Sequence, residues 1–453
     1  MSLSDPGDFR PVTDRIGSLD ALRGVAVLGI LVINIIGFST PQIAFSNPLA
    51  AGGSGALNHG LWTFTTVYVD GTMRGLFTLL FGAGVVLFTA RAGGPDGPIR
   101  IADLYYRRTL WLALFGLVHA YVLLNPCDIL FVYGFAGLFL FPLRLLTPAR
   151  LIVLAGILLA FPTALSVVSS ISAAALEERV RDLRAQEAAG RPLSDDEEAS
   201  VNAWRQRRDR LWPPESRIAG EVSDRVRPVT TLYASNAGRF PVGQVSFVGL
   251  LQYTAVNLTL MLLGMALLKW RVLAGERSAS FYLRLMAVGY GIGLPLRAGD
   301  VWSSWATTFD ASVVGWQPFG ELARIAVTLG HLGLFLLLWN ATRQSRAMRA
   351  LAAVGRMAFT NYVAQTVIAN AIFSGVGLGL YGALDRAEVY AIMLVMWTGQ
   401  LAFSVWWLSR FQFGPIEWAW RSLTYWRPQP MRPASPHPPV LASMVTGGAE
   451  RRS

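Results

Sequence analysis

The sequence is short of charged residues and of cysteine, and both shortages limit what the protein can be. Only 15% of its 453 residues are charged and 53% are hydrophobic, whereas soluble proteins carry about 25% charged residues. The single cysteine, Cys127, excludes an internal disulfide and a metal site built from several cysteines. The sequence also contains no Walker A, HExxH, GxSxG or strand–GxGxxG–helix motif, so it carries no signature of the common soluble enzymes.

The net charge is +11, from 39 basic and 28 acidic residues. In a soluble protein this excess would favour nucleic-acid binding. Here the arginines cluster at the ends of apolar runs, as the topology of membrane proteins requires. We therefore expect these arginines to lie at the surface of the lipid bilayer, and we do not expect the protein to bind nucleic acid.

Long apolar runs predict an all-α, polytopic membrane protein with about ten transmembrane helices. With its flanks, each run approaches the roughly 20 residues that cross a bilayer. No cleavable signal peptide is evident, so the first run is predicted to be a retained helix. The predicted helices cover residues 19–39, 61–90, 107–124, 128–145, 150–171, 246–269, 280–296, 321–340, 354–376 and 388–409.

Basic residues occupy alternate connections between these predicted helices. Arg107 and Arg108 lie where the second helix joins the third, and Arg349 and Arg356 follow the eighth, whereas residues 40–60 contain no Lys or Arg. The positive-inside rule then places both termini in the cytoplasm. We expect a multi-pass protein of a bacterial cytoplasmic membrane.

Residues 172–245 interrupt the apolar pattern with twelve Arg and twelve Asp or Glu. A long loop of balanced charge can be translocated across the membrane, and its composition predicts amphipathic helices. This insertion is either a lid over a substrate site or a solvated spacer. The predicted segments are a cytoplasmic N-terminus (1–18), a first membrane bundle (19–171), the extracytoplasmic insertion (172–245), a second bundle (246–409), an interfacial aromatic segment (410–426) and a disordered tail (427–453).

Ionisable residues inside a spanning helix are costly, so each is a candidate site residue. Asp70 and Arg74 lie four residues apart, a spacing that places them on one helical face where they can pair. The pair is either part of a site or a neutralised structural pair.

His119 is the best candidate for direct chemistry, because histidine exchanges a proton near neutral pH. Asp128, in the turn that follows its helix, is close enough in sequence to orient one imidazole nitrogen and leave the other as a base. His331 is a further candidate, with an interhelical hydrogen bond as its alternative role. His59, in an outer loop, is more typical of a surface histidine.

Amides also lie at intermediate depth in several predicted helices. Asn34, Asn361 and Gln365 would be satisfied together in a shared polar pocket, whereas facing lipid would leave them unpaired. Asn361 and Gln365 are equally typical of hydrogen bonds that hold helices together.

Four motifs in this order resemble the YeiB-like membrane proteins, whose C-terminal part is the DUF418 domain. The first, RIGSLDALRGVAVLGILVINIIGFS, resembles the N-terminal signature of that family. The others are MRGLFTLLFGAGVVLF, YYRRTLWLALFGLVHAYVLLNPCDIL, and the pair GRMAFTNYVAQTVI and QFGPIEWAWRSLTYW. Through LDALRG the family is similar to transmembrane acyltransferases, including the acyltransferase-3 proteins and heparan glucosaminide acetyltransferase.

The resemblance implies transfer of an acyl group from cytoplasmic acyl-CoA, as donor, to an extracytoplasmic glycan or envelope molecule, with no metal. Arg23, Arg107 and Arg108 could meet the donor phosphates, although anchoring by the positive-inside rule explains each of them too. Asn34, Asn361 and Gln365 would line the same donor pocket.

In this reading His119 is a general base or a transient acyl carrier, with His331 as a second candidate. Asp70 or Asp128 would orient a histidine, and Arg74 or an asparagine would stabilise the oxyanion.

Two other functions fit the sequence. A transporter would also need buried charges and broken helices, although the two halves show no inverted repeat. A non-catalytic envelope scaffold or sensor would use the insertion to bind a partner.

Overall fold

The computed structural model describes residues 16–90, 97–125, 128–236, 247–310 and 317–432, and these residues contain helices and no strand. The helices of the first half are α1 (Gly17–Ser39), α2 (Ala56–Tyr68), α3 (Thr72–Ala90), α4 (Gly97–Tyr121), α5 (Leu130–Leu143), α6 (Pro148–Ala188), α7 (Asp195–Leu211), α8 (Glu215–Val226) and α9 (Val229–Asn236). Those of the second half are α10 (Phe247–Lys269), α11 (Ala279–Ala306), α12 (Gly320–Thr342), α13 (Arg346–Arg356), α14 (Ala358–Phe373), α15 (Arg386–Leu408) and α16 (Pro415–Tyr425).

Within these ranges, six helical stretches are long and apolar enough to cross a membrane. They are α1, α2 together with α3, α6, α10, α12 and α15. The remaining helices of the bundle, α4, α5, α11 and α14, are shorter or more polar. The prediction of an all-helical membrane protein is confirmed, and the number of ten spans stays a prediction.

The bundle has two ends, which we call the basic face and the insertion face. At the basic face, the Lys269 ammonium at the end of α10 donates to the carbonyls of Arg144 and Leu146, 2.6 Å away in both cases. At the insertion face, the Asn47 amide donates to the Leu211 carbonyl at the end of α7. The arginines of residues 343–356 and 410–432 lie at the basic face, as do the first residues of α1.

Glycine allows α3 and α10 to pack with their backbones in contact. A Cβ added to Gly82 would overlap the carbonyl of Met261, and one added to Gly264 would overlap the carbonyl of Leu79. Inside a bilayer, the hydrophobic effect does not drive helices together, so their association depends on close packing. Small residues such as glycine allow that close approach. This contact fixes α3 against the second half of the chain.

Two predicted helices are broken in the structure. The stretch 61–90 divides into α2 and α3, because the chain turns at Gly71, whose φ is +74°. The stretch 354–376 divides at Met357 into α13 and α14. In contrast, α6 has 41 residues and runs without interruption through the boundary predicted at residue 171.

The insertion consists of helices packed over one end of the bundle. The predicted helical character of its first half is confirmed by the outer part of α6 and by α7. The Trp212 indole donates to the carbonyl of Phe309 at 3.1 Å, and the Tyr233 hydroxyl donates to the carbonyl of Val122 at 2.7 Å. The insertion therefore contacts the chain just beyond the ends of α4 and α11.

Candidate functional site

His119 lies near the end of α4, in a buried network of side chains. Its Nδ1 is 2.8 Å from Asp128 Oδ1, and its Nε2 is 2.7 Å from Thr366 Oγ1 of α14. The Asn125 amide donates to Thr366 Oγ1 at 2.8 Å. The side chains of His119 and Asp128 are 1% and 0% exposed. The contact between His119 and Asp128, predicted from their separation in sequence, is therefore present.

The hydrogen bonds of this network run in one consistent direction. Asp128 Oδ2 accepts from the backbone N–H of Phe131, so the carboxylate is fixed at the start of α5. With Asp128 as a carboxylate, which can only accept, the proton is assigned to His119 Nδ1, and Nε2 then accepts from the Thr366 hydroxyl. Asn125 donates in turn to that hydroxyl. In this assignment Nε2 is the ring nitrogen that faces the two side chains of Thr366 and Asn125.

A cavity of about 170 Å³ opens beside this network, among α1, α3, α4, α5, α13, α14 and α16. We call it the basic-face cavity, because arginines from three helices line it together with many apolar and aromatic side chains. Its cations are Arg23, Arg108 and Arg356, and its rings include Phe77, Phe81, Phe88, Tyr105, Tyr133, Phe359, Tyr362 and Trp420.

Aromatic rings hold Arg108 in place at the cavity. The Arg108 guanidinium lies 3.8 Å from the ring centroid of Trp420 and 5.5 Å from that of Phe88. The Trp420 indole in turn donates to the Arg108 carbonyl. Arg23 pairs loosely with Asp20, at 3.7 Å, in the first turns of α1. A cation stacked on a ring keeps its charge available for an anion in the cavity.

Helix α16 closes the cavity and also caps α14. The Glu417 carboxylate accepts from the backbone N–H groups of Phe359 and Thr360, at 2.7 and 3.1 Å, and from the Thr360 hydroxyl. These donors belong to the first turn of α14 and have no partner within that helix. Burial raises the pKa of the Glu417 carboxyl, against the opposing effect of these hydrogen bonds.

Tyr362 separates the basic-face cavity from the histidine. It lines the cavity, and its ring centroid lies 5.0 Å from that of His119. Leu130, two residues after Asp128, lines the same wall. One layer of side chains thus stands between the cavity and the His119 network.

Arg107 occupies a different position from Arg108. It pairs with Asp103 on α4, donates to the carbonyl of Thr424 and lies 5.7 Å from the ring centroid of Trp426. Arg107 therefore ties α16 to α4 and lines no part of the basic-face cavity.

Asp70 lies in the turn between α2 and α3, where arginines from two other helices neutralise it. Its Oδ2 is 3.2 Å from Arg324 on α12 and 3.5 Å from Arg297 on α11. Glu321 also pairs with Arg324, at 2.6 Å. Asp70 belongs to a charged cluster near the insertion face, not to the network of His119.

The predicted pairing of Asp70 with Arg74 was wrong. The spacing of four residues places two side chains together only in a continuous helix, and the chain turns at Gly71. The Arg74 guanidinium instead lies over the ring of Tyr253, 5.0 Å from its centroid.

His331 has two hydrogen-bond partners outside the His119 network. Its Nδ1 is 2.7 Å from the Tyr290 hydroxyl of α11, and its Nε2 is 2.8 Å from the Tyr68 carbonyl of α2. These bonds join three helices, which is the interhelical role that the sequence left open.

The three amides do not meet in one pocket. The Asn361 amide donates to Ser404 at 3.0 Å, and the Gln365 amide donates to Gln400 and to the Val27 carbonyl at 3.2 Å. These bonds join α14 to α15 and α1. Asn34 is half-buried in α1, and no described residue lies within hydrogen-bond distance of its side chain.

A second cavity, of about 360 Å³, lies at the insertion face. We call it the insertion-face cavity. Asp70, Arg324 and Arg386 line it, and Leu211 of the insertion forms part of its wall. Within the described ranges no three His, Cys, Asp or Glu side chains converge as metal ligands.

Thr366 and Asn125 are the members of the His119 network that sequence reasoning missed. Thr366 lies 247 residues from His119 in sequence, and the hydroxyl of a threonine in an apolar helix gives no signal of its own. Asn125, in the predicted turn beside Asp128, could have been found from its proximity to the histidine.

Comparison with other proteins gives full-length relatives. Residues 267–427 match the family described as "Protein of unknown function (DUF418)". The chain is 31% identical over 417 residues to "Uncharacterized protein YeiB" of Escherichia coli strain K12, covering 91% of this chain and 96% of the relative. It is 29% identical over 427 residues to "Uncharacterized protein YxaH" of Bacillus subtilis strain 168, covering 92% and 96%. No solved structure gives a significant match.

Proposed function

This chain belongs to the YeiB-like DUF418 family, and we propose that it is a membrane acyltransferase. It would move an acyl group from cytoplasmic acyl-CoA to an extracytoplasmic glycan or another envelope molecule. One observation carries the proposal: a buried Asp128–His119 pair, whose Nε2 faces the Thr366 hydroxyl, lies one side-chain layer from a cavity that contains arginines and apolar rings.

The basic-face cavity has the two properties that an acyl-CoA donor needs. Arg23, Arg108 and Arg356 can attract the phosphates, because arginine binds phosphate oxygens through several donors at once. Deeper in the cavity, Phe77 and Phe81 offer an apolar wall for the pantetheine arm and the acyl chain. The donor would enter at the basic face with its thioester towards Tyr362.

The topology required by this route follows from charge. At the basic face arginines outnumber acidic residues, whereas the two are balanced in the insertion, so by the positive-inside rule the basic face would be cytoplasmic. The insertion then lies outside the cell, where the acceptor would arrive.

His119 would act as the general base. An acceptor hydroxyl or amine would replace the Thr366 hydroxyl at Nε2 and give its proton to the imidazole as it attacks the thioester carbonyl. The resulting imidazolium would face the Asp128 carboxylate at Nδ1, which stabilises it and fixes the ring. The tetrahedral intermediate would collapse with loss of the CoA thiolate, which takes the proton from Nε2.

Asn125 is well placed to stabilise the oxyanion. Its Nδ2 lies 3.3 Å from His119 Nε2, so its amide hydrogens are on the side of the ring where the reaction would occur. Arg74, the other candidate for this role, contacts Tyr253 on α10. A neutral amide donor costs less to bury than a second cation.

A transporter is the second candidate, and one observation favours it. Cavities lie at both ends of the bundle, about 170 Å³ at the basic face and 360 Å³ at the insertion face. A molecule passing between them would leave unchanged, whereas an acyl acceptor would leave heavier by one acyl group.

The test uses the purified full-length protein in lipid nanodiscs with radiolabelled acetyl-CoA and palmitoyl-CoA as donors. Release of free CoA in the presence of an envelope extract, with label recovered in that extract, would support acyl transfer. The His119→Gln variant should lose about a hundredfold or more of this activity, while the matched His59→Gln variant, on α2, should retain it. Absence of CoA binding and of label transfer in the wild type would overturn the proposal, and flux of an unmodified envelope molecule would favour transport.

A further inference from the structure

Among the described residues, no acidic side chain forms an ion pair with Arg386, which lines the insertion-face cavity. Arg386, at the start of α15, is 3% exposed and lines this cavity. Its Nη2 donates to the Ala44 carbonyl at 2.7 Å, and its Nε has no partner among the described residues. The neighbouring Asp385 is engaged elsewhere, because it caps α15 and accepts from Asn58.

The other arginines near this cavity are already neutralised. Asp70 pairs with Arg324 and Arg297, and Glu321 also pairs with Arg324. Asp300 adds a third carboxylate that interacts with Arg297 and Arg324, so the cluster holds two positive and three negative charges. Its described ion pairs do not include Arg386.

A further carboxylate of this cluster faces the same cavity. Asp300 of α11 lines it and interacts electrostatically with Arg324 and Arg297, but no cationic side chain in the described part of the chain comes within ion-pair distance of its carboxylate. Buried or half-buried charges normally have partners, since leaving one unpaired costs several kcal/mol.

The rest of the lining suits a small polar ligand. Ser303, Ser304 and Thr307 carry hydroxyl groups on one turn of α11, and Trp62 and Phe309 add aromatic faces. A volume of about 360 Å³ is that of a small-molecule site. Leu211 of the insertion closes part of the opening, and the bond from Asn47 to the Leu211 carbonyl holds it there.

We propose that the insertion-face cavity binds a small zwitterion, with its anionic group on Arg386 and its ammonium group towards Asp300. The anionic group is a carboxylate or a phosphate, both of which accept hydrogen bonds from a guanidinium. The ligand is either a free zwitterion or the head group of an aminophospholipid, which share this chemistry. The proposal does not depend on acyl transfer, because it concerns binding in the absence of a donor.

The probe is O-phosphoethanolamine, titrated calorimetrically into the detergent-purified full-length protein without any acyl donor. We expect binding, and about tenfold or more loss of affinity when phosphate or ethanolamine replaces the intact zwitterion, because each lacks one charged contact. Arg386→Gln and Asp300→Asn should each weaken binding by about tenfold or more. The matched exposed substitutions Arg343→Gln and Asp182→Asn should leave it unchanged.

A lipid source is tested separately by mass spectrometry of lipids that copurify with the protein. Phosphatidylethanolamine retained by the wild type and lost from Arg386→Gln would assign the site to a head group, whereas binding of the free probe alone would assign it to a soluble zwitterion. Arg386→Lys keeps the charge, so it should fold and retain part of the affinity if Arg386→Gln proves unstable. The proposal is overturned if neither source binds, or if glucose, a neutral polyol, binds as tightly and is insensitive to these substitutions.

Discussion

Thr366 Oγ1 lies 2.7 Å from His119 Nε2, although 247 residues separate the two in sequence. The contact joins α4 of the first bundle to α14 of the second. It therefore forms only when both halves of the chain are packed together, and it makes the candidate site a product of the whole fold.

Replacing Thr366 by valine keeps the shape of the side chain and removes its hydroxyl. Asn125 then loses an acceptor and His119 Nε2 loses a donor, so we expect acyl transfer to fall by about tenfold. Thr366→Ser restores the hydroxyl and should recover most of the activity, which a purely steric role of the methyl group would not allow. Label transfer from acyl-CoA measures both variants, and equal activity of Thr366→Val and wild type would contradict the assigned positioning role.

Replacing Arg108 by glutamine removes the cation stacked on Trp420 at the basic-face cavity. We expect CoA binding to weaken by about tenfold, because a direct phosphate contact is lost. Arg150→Gln, an exposed change at the same face, serves as the control and should bind as wild type does. Titration calorimetry with CoA at two salt concentrations measures the effect. Equal affinity of Arg108→Gln and Arg150→Gln would remove Arg108 from the donor site.

Replacing Gly264 by alanine places a methyl group against the backbone of Leu79, where α3 and α10 are in contact. We expect a loss of about 1–3 kcal/mol of stability, because a packed backbone cannot move aside as a flexible side chain can. Thermal unfolding in detergent should show a lower midpoint. Gly291→Ala on α11 meets no atom within 4 Å and should not lower it. If Gly264→Ala also leaves the midpoint unchanged, the prediction is wrong, and α3 and α10 separate easily.

Replacing Glu197 by glutamine tests a charged helix cap in the insertion. Hydrogen bonds from the Ser194 backbone, and then from Arg191, lower the pKa of the Glu197 carboxyl to about 2 from an ordinary value of 4.5. The carboxylate therefore stabilises the start of α7 above pH 4.5, and this contribution is lost as the pH falls towards 2.

Hydrogen exchange of the first-turn amides of α7 measures this effect at each pH. Exchange in Glu197→Gln should exceed that in wild type at pH 7, and the difference should shrink at pH 3. Glu187→Gln, a matched change at the exposed end of α6, should leave these amides unaffected at both values. A difference that is the same at pH 7 and pH 3 would contradict the charged cap.

The sequence predicted those features that depend on neighbours along the chain. Apolar runs located most of the membrane helices, and the insertion was correctly expected to be helical. His119 and Asp128 were predicted to meet because their separation in sequence is only nine residues. Local geometry of this kind leaves few alternatives for where a side chain can go.

The sequence reasoning failed where helix periodicity was extended across a turn. Asp70 and Arg74 share a face only if residues 70–74 are helical, and the Asp-Gly pair at 70–71 is itself a turn signal that outweighs apolar periodicity. The partners that Asp70 does find, Arg297 and Arg324, are more than 200 residues away. Residue spacing predicts contacts only between neighbours along the chain, so it could not predict these partners of Asp70. For the same reason it could not predict the contact of Thr366 with His119.

Helix α6 has a mechanical consequence for the insertion that it carries. Its 41 residues form a rod of about 60 Å, roughly twice the thickness of a hydrocarbon layer. Pro162 is the only proline in its interior, so any bending concentrates where that residue removes a backbone hydrogen bond. As a rigid rod, α6 cannot tilt the insertion away from the insertion-face cavity by itself. The same tilt would also move the half of α6 that packs against α10 inside the bilayer.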